Sequence, residues 1–366
     1  VTKGYKSKEN LCAIIDSSRV KDSKSPGYPF KEMGLATNEQ VIARYTTEGF
    51  ADLALQMWND PIELAAFLKK EHNKLAKIEA GTPRVILSHP LHKLVKNHAL
   101  FGPLLARAID GWRKSPVKYA FSPLKAGHIE ALKSYLGPGE LWESDKKNWD
   151  YNCFGWVYDA ARDLILELAV AGKGVTEEEM AEYRKDVIGA FDEVKITKRI
   201  RCSNGNVYET EHDGVMKSGW LLTILVNSIA QDLIDILIMM RNGSTDQVIV
   251  DSKIVAGGDD VLRAKPEGLD VAKYQALAKD LGFETEIKVV DDFEGSEFFS
   301  NRFFEDHGTM IFVPQRFSKC VKHLSCTPVK HLAGALMSHM QNYCWVDDKF
   351  RFFERMFVEF STEHPE

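Results

Sequence analysis

The sequence predicts an α+β fold in which an antiparallel sheet packs on helices. Two short apolar runs meet at Gly257-Gly258-Asp259-Asp260, as the arms of a hairpin would. Arg199 to Glu209 folds back around Asn204-Gly205, a dipeptide favoured in tight turns. Long helical patterns, above all Trp220 to Met240, alternate with these strands. The 366 residues contain no repeat, low-complexity tract or clean linker, so intertwined subdomains are expected rather than beads on a string.

The elements follow in order. Ser23-Lys24-Ser25-Pro26-Gly27-Tyr28-Pro29-Phe30 is rich in turn residues and is expected as an ordered loop. Helical periodicity runs from about Glu39 to Lys70. A basic, Gly-Pro-punctuated segment, Lys69 to Arg84, leads into a strand at Arg84-Val85-Ile86-Leu87, and Leu91 to Trp112 reads as helix. Leu141 to Asp145 is a strand and Phe154 to Val170 a helix. After the long apolar helix, Gln247 to Asp251 and Lys253 to Ala256 flank a short turn or irregular connection. Beyond the acidic hairpin come a helix from Val271 to Leu281, a strand pair around Phe298 to Val313, and a helical C-terminal region.

Composition narrows the class. With 44% apolar and 27% charged residues the chain reads as an ordinary soluble globular protein. A net charge of −6 argues against a broadly basic surface, yet a nucleic-acid channel needs only local positive density. The six cysteines form no C-x-x-C pair and read as reduced thiols rather than disulfides or zinc ligands. The opening Val-Thr-Lys-Gly carries no signal-peptide pattern and suits a processed product or a trimmed chain. Trp220 to Met240 approaches the length of a membrane span, but Asn227, Gln231, Asp232 and Asp235 would be costly in lipid, so a core helix is expected.

The chemistry lies in carboxylates at strand ends. Gly258-Asp259-Asp260 alone is a weak signal, since solvated turns often carry Asp. Its apolar flanks make it the tip of a buried hairpin. A second acidic pair, Asp145 and Asp150, closes another strand, although a helix N-cap and first-turn acid would explain one of the two. Phosphoryl transfer to a 3′-hydroxyl uses two divalent ions roughly 4 Å apart, and Mg²⁺ takes a few carboxylates together with water. Asp145 and Asp259 on neighbouring strands would supply them.

These motifs, taken together, resemble the picornavirus-like supergroup of viral RNA-dependent RNA polymerases, which includes caliciviruses and astroviruses. Asp145 and Asp150 fit that family's motif A; Ser218, Gly219, Thr223 and Asn227 fit motif B; Gly258, Asp259 and Asp260 fit motif C. Lys69, Lys77 and Arg84 have motif F spacing, Ser25-Pro26-Gly27-Tyr28-Pro29 resembles a fingers loop, and Phe299-Ser300-Asn301-Arg302-Phe303-Phe304 resembles motif E. Three departures stand out. Gly257 replaces a frequent Tyr, Trp220 replaces a smaller residue, and the segment before Ser23 is shorter than in picornavirus enzymes.

The resemblance implies a right-hand polymerase: fingers at 1–140, palm at 141–170, a fingers insertion at 171–213, palm at 214–304 and thumb at 305–366. It implies Asp145 and Asp259 as metal ligands with Asp260 assisting, and Mg²⁺ as cofactor with Mn²⁺ as substitute. Asp150 and Asn227, with Ser218 and Thr223, would recognise the ribose; a 2′-hydroxyl both donates and accepts, which a carboxylate and an amide can satisfy. Lys69, Lys77 and Arg84 would hold the triphosphate. Lys288 would be the general acid for pyrophosphate, although an ordinary surface strand lysine explains it as well. Arg302 would support the primer. Implied partners are RNA template and nascent strand, nucleoside triphosphates, a viral protein primer and other replication proteins. The implied setting is replication complexes in the host cytoplasm, after release from a polyprotein. A reverse transcriptase-like enzyme and a catalytically inactive RNA-binding palm are the alternatives.

Overall fold

The computed structural model describes residues 1–17, 20, 24–69, 75–79, 81, 85–197 and 199–364, with only the backbone of 76 and 77. Among them are the strands β1 (Leu64–Leu68), β2 (Val85–Ser88), β3 (Leu141–Lys146), β4 (Arg199–Cys202), β5 (Val207–Glu209) and β6 (Ile254–Gly257). The series continues with β7 (Asp260–Ala264), β8 (Thr285–Val290), β9 (Glu297–Phe298), β10 (Asn301–Asp306) and β11 (Thr309–Pro314). The chain divides into two compact units. One comprises Val1–Lys69, Pro83–Asp110 and Asn148–Leu233; the other comprises Lys70–Thr82, Gly111–Lys147 and Ile234–Glu366.

In the first unit a sheet of order β2-β1-β4-β5 buries Ile62, Leu64, Ala66 and Leu87. β1 corrects the expected helix from Glu39 to Lys70. The helix Asn38–Gln56 ends, and Leu64–Leu68 pairs antiparallel with β2 and parallel with β4. Asn59-Asp60-Pro61 breaks the helix, because Pro lacks the amide that would continue it. Pairing then overrides the helical bias of Leu-Ala-Ala-Phe-Leu. Helix Glu177–Ile196, unassigned from sequence, opens with a capping box between Thr176 and Glu179 and packs on helix Leu91–Asp110. Trp220 joins this core, 5.1 Å from the Phe191 ring and 6.2 Å from Tyr158. Its size serves packing. Buried Lys93 reaches Glu193 at 2.6 Å and donates to the Trp58 carbonyl at 2.9 Å.

The second unit holds an antiparallel sheet of order β6-β7-β3-β8 and a smaller sheet of order β11-β10-β9. Leu141, Val255, Leu262, Phe293, Phe298, Phe303 and Phe312 form one core. Helices Phe317–Ser325, Val329–Asn342 and Asp347–Glu363 close a second core around Leu324, Leu336, Tyr343 and Phe353. Asp246–Asp251 is a short helix despite its β-branched content, capped by the Thr245 hydroxyl, which accepts from Val248 N. Within this unit the buried guanidinium of Arg263 on β7 is paired with the buried Asp235 carboxylate, which also accepts from Tyr274 Oη at 2.9 Å. The α+β expectation holds.

Helix Thr223–Asn242 is long and apolar enough to cross a membrane, but Leu225, Val226, Ala230, Ile234 and Ile238 are buried within the protein, as expected of a core helix. All six cysteines are free thiols.

Candidate active site

The acidic hairpin forms as its sequence requires. Ile254-Val255-Ala256-Gly257 is wholly buried, and Gly257 pairs with Asp260, so Gly258 and Asp259 make a two-residue turn. Gly258 has φ +75°, which glycine adopts without steric cost. Asp259 is therefore exposed at the tip and Asp260 stands on the first rung. Next to β7 lies β3, where Ser144 pairs with Val261, so Asp145 lies one residue beyond that pair, at the same end. On the other side of β3, Asp145 pairs with Glu286 of β8.

The carboxylates feel one another. Lost solvation, then the charges of Asp259 and Glu286, hold the Asp145 carboxyl above its usual range, against Lys146 and Arg316. Desolvation, then Asp259, pushes Asp260 up to about 6, with Arg316 opposing. These are hard oxygen donors, and their mutual repulsion is of the kind that a divalent ion would relieve. Among the described residues no three His, Cys, Asp or Glu side chains enclose an ion by themselves. Mg²⁺ usually takes one or two carboxylates and completes its shell with water and substrate phosphates, so Asp145 and Asp259 have the donor chemistry it uses.

Two members were missed from sequence. Glu286 was hidden because strand register alone brings it opposite Asp145. Its alternation with Lys288 on one strand face was the available signal. Arg316 sits where β11 gives way to helix Phe317–Ser325, with no motif to mark it.

Lys288 lies on the face of the sheet that carries Asp145. It pairs with Glu143, two residues before Asp145, and its ammonium contacts both Glu143 oxygens at 2.8 and 2.9 Å. Glu143 also accepts from the Glu297 backbone N at 2.9 Å. Lys146 points the other way and is buried; desolvation, with Arg263, lowers it to about 7. Arg302 on β10 lies 3.8 Å from Glu297.

The remaining predicted residues lie in the first unit or outside the described residues. Asp150 stands in a short helix, Trp149–Asn152, and its carbonyl accepts from Met216 N at 2.6 Å. Ser218 Oγ accepts from Leu87 N at 3.4 Å, and Gly219 N donates to Leu87 O at 3.0 Å. A Cβ on Gly219 would come within 2.9 Å of Ser88 Cα, so glycine is needed for this approach. The Thr223 hydroxyl lies 2.8 Å from the carbonyls of Lys217 and Trp220 and holds the turn into its helix. Asn227 is buried, and its Oδ1 lacks a hydrogen-bond partner among the described residues. Lys69 is half-buried just after β1. Arg84 and the Lys77 side chain, the other two members of the expected triphosphate cluster, lie outside the described residues.

Carboxylates grouped at one end of neighbouring strands are the donor type that metal-dependent phosphoryl transfer uses. The chain belongs to the viral RNA-dependent RNA polymerases, whose family model matches residues 2–355. Among solved structures it is similar to the Sicinivirus 3Dpol RNA dependent RNA polymerase. The TM-score is 0.71 over 98% of this chain and 79% of that one, and the 15% identity makes this a likeness of fold. No curated protein matches it in sequence. The protein is therefore an RNA-directed RNA polymerase of viral replication, which binds RNA and nucleoside triphosphates, in a family that generally uses divalent metals. Neither alternative is favoured.

Proposed function

We propose that Asp145 and Asp259 hold the two divalent cations of nucleotide transfer, Mg²⁺ with Mn²⁺ as substitute, and that Asp260 assists. The carrying observation is the β6–β7 turn, which sets Asp259 and Asp260 in electrostatic contact with Asp145. When bound, the cations would lower the charge on the attacking 3′-oxygen and on the leaving pyrophosphate. Asp145 and Asp259 offer oxygen donors from two strands, while Glu286 and Arg316 set the local potential. Lys288 donates the proton to pyrophosphate, and its pairing with Glu143 keeps the ammonium on the Asp145 face of the sheet.

Asp150 and Asn227 recognise the ribose 2′-hydroxyl, with Ser218 and Thr223 shaping the motif B turn; the unpartnered Asn227 Oδ1 supports this reading. Lys69, Lys77 and Arg84 hold the triphosphate, and Arg302 supports the primer. The fold follows a right hand, with fingers at 1–140 and 171–213, palm at 141–170 and 214–304, and thumb at 305–366. RNA synthesis takes place in cytoplasmic replication complexes, with a viral protein primer among its partners.

The test is Asp259→Asn, measured by primer extension beside thermal melting. The variant should melt like wild type and lose nearly all incorporation. A well-folded variant retaining more than about a tenth of the wild-type rate would remove Asp259 from the metal site.

A further inference from the structure

Gly257 closes β6 immediately before the turn that carries Asp259. β6 is an edge strand of its sheet, and backbone hydrogen bonds on its outer side reach Ala256. Ala256 N donates to Pro116 O at 2.9 Å, and Lys118 N donates to Ala256 O at 2.8 Å. One residue further on, the cover is a side chain. The Phe299 ring stands over the Gly257 Cα, and a Cβ at 257 would lie 2.7 Å from both ring Cε atoms. Real Cβ atoms do not approach carbon so closely, so the glycine and the ring are fitted to each other.

The ring has little room to withdraw. It stacks on Phe121 with centroids 6.2 Å apart and planes 13° apart, and it meets Phe298 at 4.5 Å. The backbone beneath it is unusual. Phe299 at φ +51° and Ser300 at φ +57° are consecutive left-handed residues, and neither is glycine. Bulky side chains avoid that region, and such conformations persist where their surroundings over-determine them. Asn301 Nδ2 donates to Phe299 O at 2.8 Å and Gln315 N donates to Ser300 O at 2.9 Å, which fixes the bend. The strained bend thus carries a rigid ring to the one residue of β6 that has no side chain.

We propose that Phe299 is a positioning residue for the catalytic turn. Its ring, seated on Gly257, sets the height of Gly258-Asp259 above the sheet, in the place a side chain at 257 would otherwise fill. The two residues act as a pair, so neither is freely exchangeable while the other is kept. The proposal rests on the reading of Asp259 as a metal ligand.

The full chain would be compared as wild type, Gly257→Ala, Phe299→Leu, Phe299→Ala, Gly257→Ala with Phe299→Ala, and Asp259→Asn. Readouts are kcat and KM for a nucleotide on a fixed primer-template, melting temperature, and Mn²⁺ affinity by titration calorimetry with primer-template bound. Gly257→Ala should lose about tenfold or more in kcat with KM changed by less than about twofold, and should bind Mn²⁺ more weakly while melting near wild type. In the Phe299→Ala background the added methyl finds space, so the double variant should exceed Gly257→Ala by about fivefold or more in kcat. Phe299→Leu should weaken Mn²⁺ binding without adding any bulk.

Wild-type kcat and Mn²⁺ affinity in Gly257→Ala would overturn the proposal. So would a double variant no better than Gly257→Ala, or activity that falls only in step with melting temperature. If Gly257→Ala does not fold, Phe299→Leu decides, and unchanged Mn²⁺ affinity there counts against the ring. Wild-type Mn²⁺ affinity in Asp259→Asn would instead remove the metal-ligand reading, a distinct failure.

Discussion

Asn227 shows how a single residue can carry a functional expectation. Its side chain is buried, yet Oδ1 has no hydrogen-bond partner among the described residues, and an orphaned buried amide oxygen ordinarily costs about 1–3 kcal/mol. A ribose hydroxyl would supply the missing donor. If Asp150 and Asn227 share that ligand atom, Asp150→Ala or Asn227→Ala should harm ribonucleotides more than deoxynucleotides. The selectivity ratio should fall about tenfold for each 1.4 kcal/mol lost. A double-mutant cycle should show coupling between the two. The measurement is the ratio of kcat/KM for a ribonucleotide and its deoxy counterpart. An unchanged ratio in both single variants would leave these residues an architectural role. The Thr223 hydroxyl donates to the backbone carbonyls of Lys217 and Trp220 and keeps its lone pairs as acceptors.

Among the elements, β7 has two functions. Its first residue, Asp260, belongs to the acidic tip, and three residues along, Arg263 turns to the buried side and pairs with Asp235. The ion pair is fully enclosed, and Tyr274 Oη, the Ser252 hydroxyl at 3.0 Å and the Ala264 carbonyl add hydrogen bonds to its two partners. Enclosed pairs add little net stability, but losing one partner strands a charge. Asp235→Ala should therefore cost about 3–5 kcal/mol, read as a lowered denaturation midpoint. A loss under about 1 kcal/mol would mean that water relieves Arg263. At the same scale, β1 and Asp246–Asp251 mark where local pattern misleads. Leu64–Leu68 has helix-compatible residues yet pairs with two strands, and Gln247-Val-Ile-Val has strand-favouring residues yet makes a turn and a half of helix.

Over the whole molecule, stability should depend on pH through the first unit. Burial, reinforced by Lys217 and Lys93 near His89 and by Lys93 and Lys96 near His92, pushes both imidazoles down to about 3. In the unfolded chain they titrate near 6.5. The unfolded state then binds more protons, so stability is complete above pH 6.5 and is lost as pH falls towards 3. The slope is about 1.4 kcal/mol per pH unit for each histidine. Denaturation midpoints between pH 7 and 5 should fall accordingly, and His92→Gln should flatten the dependence. Equal midpoints at the two pH values would mean that these rings are not neutral and buried.

What the sequence determined by itself was the set of locally encoded features. Gly258-Asp259 forms a two-residue turn because glycine supplies the positive φ, and its apolar flanks bury the strands, so Asp259 reaches the tip from local rules alone. The order of Asp145, Ser218-Gly219 and Gly258-Asp259-Asp260 identified the family that residues 2–355 match. Tertiary structure decided what depends on residues distant in the chain. Strand register brought Glu286 opposite Asp145 and Lys288 opposite Glu143. Folding of the β9–β11 sheet carried Phe299 onto Gly257, where the sequence showed only an absent side chain. Pairing partners turned a helix-like segment into β1. A turn is set by two or three dihedral angles, whereas register and packing are chosen by contacts that exist only after the chain has closed.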